Sequence, residues 1–184
     1  MPEFKNSNSK SGGKNTNKNG LKFESKKNLK SEFEVIEKNK QFSKIVFTNN
    51  NQKKFITGKK GQFLKYINKN IITLDKKLLP DGCKQPDEWY ICEETKKLFI
   101  IEMKFQKCRG SVCEKLQTAP FKRDWFNDTF KNYEVHYIYC LSDWFKENCK
   151  IVTDRLKDKY NVPIFWADNP DYKKNIVEFI IHNS

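Results

Sequence analysis

The sequence feature that most constrains the fold is an uninterrupted apolar run, Leu98 to Ile101, with charged residues close by on both sides. A run this short and apolar is typical of a buried strand. A second strand-like segment, Glu88 to Cys92, precedes it, and the polar turn Glu93 to Lys96 separates the two. The pattern therefore predicts a β-hairpin whose second strand is buried.

Charged residues stand at the adjoining ends of these two strands. Asp87 begins the first strand, and Glu102 and Lys104 lie near the end of the second. Glu102 and Lys104 are two positions apart and so point to the same face, and the hairpin returns Asp87 toward them. Two carboxylates and an ammonium beside a buried strand suit a divalent cation and a phosphate. The alternative is chance, since Glu-x-Lys is common in lysine-rich chains.

A net charge of +13 over 184 residues predicts a polyanionic partner. An AT-rich genome would also explain the abundance of Lys, Asn and Ile. The length is enough for one domain with a substantial core. We expect that domain over residues 21–184, after a flexible basic arm over residues 1–20 that either becomes ordered on DNA or is a solvated tail.

The chain has no apolar run long enough to span a membrane and no apolar segment of a secretory signal near its start. We therefore expect a cytoplasmic protein with no membrane partner. Its six cysteines are Cys83, Cys92, Cys108, Cys113, Cys140 and Cys149. None belongs to a Cys-x-x-Cys pair, so free thiols are expected rather than a structural zinc site.

The predicted elements run helix, strands, hairpin, helix, strand, helix, strand, helix. This order predicts an α/β fold with a mixed central β-sheet flanked by helices. Helices are expected over about residues 21–38, 112–130 (interrupted or bent near Pro120), 142–160 and 176–180, and strands over 43–48, 55–57, 134–141 and 162–166. Residues 63–67 fit either a helix or a strand, residues 80–82 carry a turn signature, and Ser111 is a candidate helix N-cap.

Pro86-Asp87 followed by Glu102-x-Lys104 across a hairpin resembles the motif of the PD-(D/E)XK nuclease superfamily. Phe105-Gln106 and the segment Gly110 to Lys115 (GSVCEK) are similar to the stretch after the catalytic lysine in many type II restriction endonucleases. The segments at residues 15–24, 141–145 and 163–166 are similar to other parts of such enzymes. The resemblance covers most of the chain, from about residue 12 to residue 182.

The resemblance implies a Mg²⁺-dependent restriction endonuclease, with Mn²⁺ as a substitute, that cuts double-stranded DNA at a short sequence and leaves 5′-phosphates. Asp87 and Glu102 would bind the metal, with the Met103 carbonyl between Glu102 and Lys104. Lys104 would be the catalytic lysine that orients or deprotonates the attacking water, or that stabilises charge on phosphorus.

Three further site residues each have an alternative interpretation. Family members often add an acidic residue from the first helix, for which we prefer Glu24, with Glu34 as the fallback and a solvated carboxylate as the alternative. Asp81 is a rival for the role of Asp87, which we prefer because a strand follows it. Gln106 is expected on the same strand face as Glu102 and Lys104, where it would contact the scissile phosphate or a water. The alternative is a polar residue that only ends the strand.

Basic and amide side chains around the predicted site are candidate DNA contacts. They are Lys59, Lys60, Gln62, Lys107, Arg109, Ser111, Lys115, Gln117, Lys122 and Arg123. The alternative for each is a solvated basic surface. A palindromic target predicts a homodimer, and a monomer that nicks each strand in turn is the alternative. Two rival functions are a repair or structure-selective nuclease of the same superfamily and a non-catalytic DNA-binding module.

Overall fold

The described part of the chain is built on a seven-stranded sheet whose strands lie side by side in chain order. A computed structural model describes residues 14–48, 50–72, 85–107 and 112–184. The strands are β1 (Phe33–Lys38), β2 (Ser43–Phe47), β3 (Asn50–Thr57), β4 (Glu88–Cys92), β5 (Lys97–Lys104), β6 (Glu134–Leu141) and β7 (Ile164–Trp166). The helices are α1 (Lys14–Lys27), α2 (Phe63–Asn70), α3 (Val112–Leu116), α4 (Ala119–Thr129), α5 (Trp144–Asn148), α6 (Lys150–Asp158) and α7 (Tyr172–His182).

The sheet is mixed, which confirms the predicted architecture of a mixed sheet flanked by helices. Strands β1 to β5 pair antiparallel in succession, and β5, β6 and β7 pair parallel. The predicted hairpin is β4 and β5, with Glu88 opposite Ile101 and the turn at residues 93–96. Because β5 has neighbours on both edges, its backbone is held by β4 on one side and β6 on the other.

Strand β5 is the centre of the core because helices cover both faces of the sheet. Leu98 and Ile100 face one layer, where they pack with residues of α2, α3 and α4. Phe99 and Ile101 face the opposite layer, which contains residues of α1 and α7. All four side chains are at most 1% exposed. The buried strand predicted from this apolar run is confirmed, and its continuity follows from burial on both faces.

The first helix and strand differ from the prediction of one helix over residues 21–38. Helix α1 ends at Lys27, and Phe33–Lys38 forms the edge strand β1, paired with β2. The apolar residues Phe33, Val35 and Ile36 are compatible with either period over so short a segment, and pairing with β2 decides for the strand. Residues 14–20, which composition assigned to the arm, lie in α1, and residues 1–13 lie outside the described residues.

Most later elements agree with the sequence. Residues 63–67, which fitted either class, are helical, and the predicted strand at residues 134–141 is β6. The helical region around Pro120 is broken, with α3 ending at Leu116 and α4 carrying Pro120 in its first turn, where a missing N–H costs little. The predicted turn at residues 80–82 and the N-cap at Ser111 lie outside the described residues. No helix within the described ranges is long and apolar enough to cross a membrane.

One pair of cysteines corrects the expectation of free thiols. Cys113 of α3 and Cys149, directly before α6, form a disulfide across 36 residues. Cys92 and Cys140 are free and buried in the sheet, as expected, while Cys83 and Cys108 lie outside the described residues. The spacing of Cys113 and Cys149 carries no signature, because packing of α3 against α6 and not local sequence brings them together.

Candidate active site

The three residues singled out in the hairpin lie together at one end of β4 and β5. Asp87 directly precedes β4, and its Oδ2 accepts a hydrogen bond of 2.8 Å from the backbone N–H of Met103. That N–H belongs to the residue between Glu102 and Lys104, so Asp87 is fastened to the strand that carries both. The Asp87 side chain is only 5% exposed. The hairpin register therefore fixes the carboxylate of Asp87 beside Glu102.

Glu102 is a buried carboxylate held by two lysines. Its residue is 7% exposed, and its Oε1 lies 2.5 Å from Nζ of Lys104 and 3.6 Å from Nζ of Lys122. Burial would raise the pKa of Glu102, but the ammoniums of Lys104 and Lys122 outweigh burial and keep the pKa below its usual value. Glu102 is therefore an anion at neutral pH.

A third acid and a third lysine complete the group. Nζ of Lys60 donates to Oδ1 of Asp87 and lies 3.3 Å from Oε2 of Glu24, on α1. Burial and the nearby Asp87 raise the pKa of Glu24, while Lys60 opposes the rise. Burial would lower the pKa of Lys60, but Asp87 and Glu24 outweigh it and raise that pKa. One ammonium thus serves two carboxylates from different elements.

The turn that carries Lys60 is held rigidly against the core. An added Cβ on Gly58 would lie 2.8 Å from Cζ2 of Trp89, so only glycine permits this close approach. The side-chain oxygen of Gln62 accepts from the backbone N–H of Lys59, and its amide donates to the Lys40 carbonyl, both at 2.9 Å. Gln62, expected to contact DNA, therefore has its amide engaged in fixing the turn. This packing determines where Lys60 meets Asp87.

The charges of the cluster balance in number. We call it the acid–lysine cluster: the carboxylates of Glu24, Asp87 and Glu102 with the ammoniums of Lys60, Lys104 and Lys122. As they stand, no three His, Cys, Asp or Glu side chains in the described ranges are grouped closely enough to hold a metal ion. Within the cluster, Lys60 engages Glu24 and Asp87, while Lys104 and Lys122 engage Glu102.

A cleft of about 860 Å³ opens beside the acid–lysine cluster. Glu24 and Asp87 line it, together with residues of β1, β2 and the turn that follows β3. Its basic lining residues are Lys30, Lys38, Lys40, Lys59 and Lys60. Five lysines therefore give this cleft a basic lining beside the carboxylates of Glu24 and Asp87.

The remaining described acid and strand-end candidates have the following positions. Glu34, the fallback acid, is exposed on β1, whereas the preferred Glu24 lies in the cluster. Met103 presents its backbone N–H to Asp87 and buries its side chain in the α1–α7 layer. Gln106 follows β5, and its backbone N–H donates to Oγ of Ser142 at 3.2 Å. Asp81, the rival of Asp87, lies outside the described residues.

The predicted DNA contacts divide into several groups. Lys59 lines the cleft, and Lys60 and Lys122 belong to the acid–lysine cluster. Arg123 donates to the Tyr160 carbonyl and lies 3.4 Å from Asp124, so it joins α4 to the end of α6. The remaining described candidates are exposed, namely Lys107, Lys115 and Gln117. Arg109 and Ser111 lie outside the described residues.

Sequence reasoning missed the environment of Glu88, beside Asp87. Its carboxylate accepts the backbone N–H of Leu29 at 3.2 Å and the hydroxyl of Tyr90 at 3.1 Å. Burial raises the pKa of Glu88 from 4.5 to about 7, although both hydrogen bonds oppose the rise. Its position next to Asp87 at the start of a strand was the only signal in the sequence, and it did not indicate this enclosure.

Glu88 makes stability depend on pH. Because its folded pKa of about 7 exceeds the ordinary value of 4.5, the folded state holds a proton that the unfolded state lacks between these limits. Stability should therefore fall as the pH rises through that window. Glu88→Gln should remove this dependence and raise the free energy of unfolding at pH 8 by about 2–3 kcal/mol. Urea unfolding in EDTA at pH 5 and pH 8 measures it, and equal pH dependence in both proteins would contradict it.

Comparisons of the chain with protein-family models, curated proteins and solved structures found no match. The functional conclusion therefore rests on the geometry and chemistry of the acid–lysine cluster and its cleft.

Proposed function

We propose that this protein is a Mg²⁺-dependent endonuclease of the PD-(D/E)XK type, acting on double-stranded DNA as a type II restriction enzyme. The observation that carries the proposal is the fastening of Asp87 to the Met103 N–H, between Glu102 and Lys104, at the end of a central buried strand. Burying these charges is costly, and structural packing alone gives no reason for it. Perturbed acids beside a cleft are typical of catalytic sites.

The architecture supports the same proposal. The acids and Lys104 lie on an antiparallel hairpin whose second strand pairs parallel with β6, and α3 and α4 form the crossover. Glu24 reaches the cluster from the first helix, the element from which the family resemblance implies an additional acidic residue. The same end of strands β4 and β5 thus gathers these residues from three separate segments of the chain.

The carboxylates suit a hard divalent cation. All three present oxygen atoms, which Mg²⁺ prefers, and Glu24 and Asp87 already share one cationic group, the Lys60 ammonium. Glu102 would complete the set by turning away from Lys104. When bound there, Mg²⁺ or Mn²⁺ would neutralise charge on the phosphate and make a bound water more acidic.

The residues of the chain have distinct roles in this proposal. Glu24, Asp87 and Glu102 would hold the cation, and the hydrogen bond from Met103 fixes the direction of Asp87. Lys104 is freed from Glu102 and faces the attacking water or the phosphate oxygen, where it orients the water and offsets developing negative charge. Lys122, at 3.6 Å from Glu102, keeps that carboxylate ionised. Lysines of the cleft neutralise phosphates on either side of the scissile bond.

The substrate follows from the cleft and from the proposed class. The lysine-lined cleft leads to Glu24 and Asp87, so a DNA strand in it would pass the cluster. Cutting both strands of a symmetric sequence in one binding event takes two copies of the site, so we propose a homodimer on DNA. A monomer that cuts each strand in turn would give the same products.

Cleavage of long duplex DNA tests the proposal. The protein is incubated with a linear DNA of known sequence in Mg²⁺, and a parallel sample contains EDTA. We expect discrete fragments with 5′-phosphate ends in Mg²⁺ and intact DNA in EDTA. A smear, or cutting confined to branched substrates in a parallel assay, would indicate a structure-selective nuclease and not a restriction enzyme. DNA binding without cutting in either Mg²⁺ or Mn²⁺ would reject the nuclease.

A further inference from the structure

The ammonium of Lys60 lies where a cation shared by Glu24 and Asp87 would lie. It donates to Oδ1 of Asp87 and is 3.3 Å from Oε2 of Glu24. We propose that Lys60 is a built-in counter-cation, which a divalent metal ion must displace before it binds this pair of acids. This inference rests on the proposed function, since it concerns the same metal site.

The pair of acids requires a cation. The side chain of Asp87 is 5% exposed and that of Glu24 is 27% exposed, so water screens their mutual repulsion poorly. The Lys60 ammonium contacts both carboxylates and offsets this repulsion. In the metal-free protein, Lys60 therefore neutralises the two carboxylates as a bound metal ion would.

Lys60 and a divalent ion exclude each other. A metal ion coordinated by both carboxylates would take the same oxygen atoms that Lys60 now contacts. An ammonium at hydrogen-bond distance from those oxygens would also repel a doubly charged ion a few ångströms away. Metal binding must therefore break both contacts of Lys60, and the apparent metal affinity of the protein is lowered by their strength.

The cleft beside the cluster can accommodate the Lys60 side chain once it leaves the acids. This side chain is 45% exposed and lines the cleft of about 860 Å³ together with Lys40 and Lys59. Its turn is anchored through Gly58 and Gln62, so the flexible side chain can swing while the backbone stays fixed. Lys104 differs, because it is tied to Glu102 on its own strand and does not contact Glu24 or Asp87 within ion-pair distance in the described structure.

Displacement would couple the metal to the substrate. Once released, the Lys60 ammonium lies in the basic cleft, where a DNA phosphate would receive it. DNA that binds the released ammonium favours the metal-competent state, and by linkage the metal then favours DNA binding. The metal-free protein consequently holds its acids neutralised until both the cation and the strand are present.

The test is the affinity of the DNA-free protein for Mn²⁺, measured from the electron paramagnetic resonance signal of the free ion. Lys60→Met should bind Mn²⁺ about tenfold more tightly than the wild type, or better, because the competing ammonium is gone. Lys59→Met is the matched control, since Lys59 lines the same cleft, loses the same charge and forms no ion pair with described residues. It should change the affinity less than about threefold.

An affinity of Lys60→Met equal to that of Lys59→Met, or weaker than that of the wild type, would overturn the inference. Circular dichroism verifies the fold of each variant, and Lys60→Gln with Lys59→Gln replaces the pair if the methionine variant does not fold. Cleavage by the wild type separates the two proposals. Mg²⁺-dependent cutting with no gain in Mn²⁺ affinity rejects only the counter-cation, whereas a gain in affinity with no cutting by the wild type rejects only the nuclease.

Discussion

Replacing Lys104 with alanine should abolish DNA cleavage while leaving the fold and the affinity for DNA nearly unchanged. Lys104 ends the buried strand β5, and its ammonium is the group closest to Glu102, at 2.5 Å. Removing a positioned proton donor or charge stabiliser at a reacting phosphate costs about 10³-fold in rate. Because the side chain is 29% exposed and Lys122 still faces Glu102, the fold should tolerate the change.

Single-turnover cleavage of a labelled duplex in Mg²⁺ measures this loss, and a gel-shift titration in Ca²⁺ measures DNA affinity. Lys97→Ala is the control, since Lys97 lies at the other end of the same strand and pairs with the exposed Glu134. It should cut at close to the wild-type rate. Cleavage by Lys104→Ala within about tenfold of wild type would remove Lys104 from the chemistry.

Replacing Trp89 with alanine should lower the stability of the fold more than any other substitution proposed for this protein. Trp89 is fully buried, and its ring lies 5.4 Å from that of Phe63 and 5.6 Å from that of Tyr66, between centroids. It also packs against Gly58, at the base of the turn that carries Lys60. Deleting so large a buried side chain should lower the free energy of unfolding by about 3–5 kcal/mol.

Urea unfolding followed by circular dichroism measures this change. Trp144→Ala is the matched control, because Trp144 on α5 is only half-buried and packs at the margin of the same layer. Trp144→Ala should lower the free energy of unfolding by less than half as much as Trp89→Ala. Trp89→Ala should also reduce cleavage, since the Lys60 turn loses its support. A loss below about 1 kcal/mol for Trp89→Ala would contradict the packing described for β4.

The hairpin and its charged ends could be predicted from sequence because strand geometry is local. The run Leu98 to Ile101 is apolar at every position, as burial on both faces requires. Spacing by two places Glu102 and Lys104 on one face, and a short polar turn returns Asp87 to them. These relations depend only on the period of a strand and the length of a turn.

The contacts of Lys60 and Lys122 with the acids could not be predicted from sequence. Lys60 stands 27 positions before Asp87 in a basic, glycine-bounded loop, where a DNA contact was the natural interpretation. Packing of Gly58 against Trp89 turns that loop toward the acids, and no periodicity reports such a contact. Lys122 reaches Glu102 because α4 packs on the sheet, which is likewise a contact between distant segments. Glu24 was preferred through the family resemblance, since its helix by itself did not place it.

The structure also differs from the sequence prediction at an edge strand and at a disulfide. The segment Phe33–Lys38 became the edge strand β1 because β2 offers it a pairing partner, while its own pattern is compatible with a helix. The disulfide between Cys113 and Cys149 depends on how α3 packs near α6. In both cases the deciding interaction joins segments that the local pattern treats separately.

The most direct test of the central claim compares the wild type with Glu102→Gln on plasmid DNA. The substitution keeps the shape of the buried side chain but removes the charge that a metal ion requires. The account predicts cutting by the wild type in Mg²⁺ and none in EDTA, and no cutting by a folded Glu102→Gln in either. Cutting by the wild type in EDTA, or by Glu102→Gln at the wild-type rate in Mg²⁺, would contradict it.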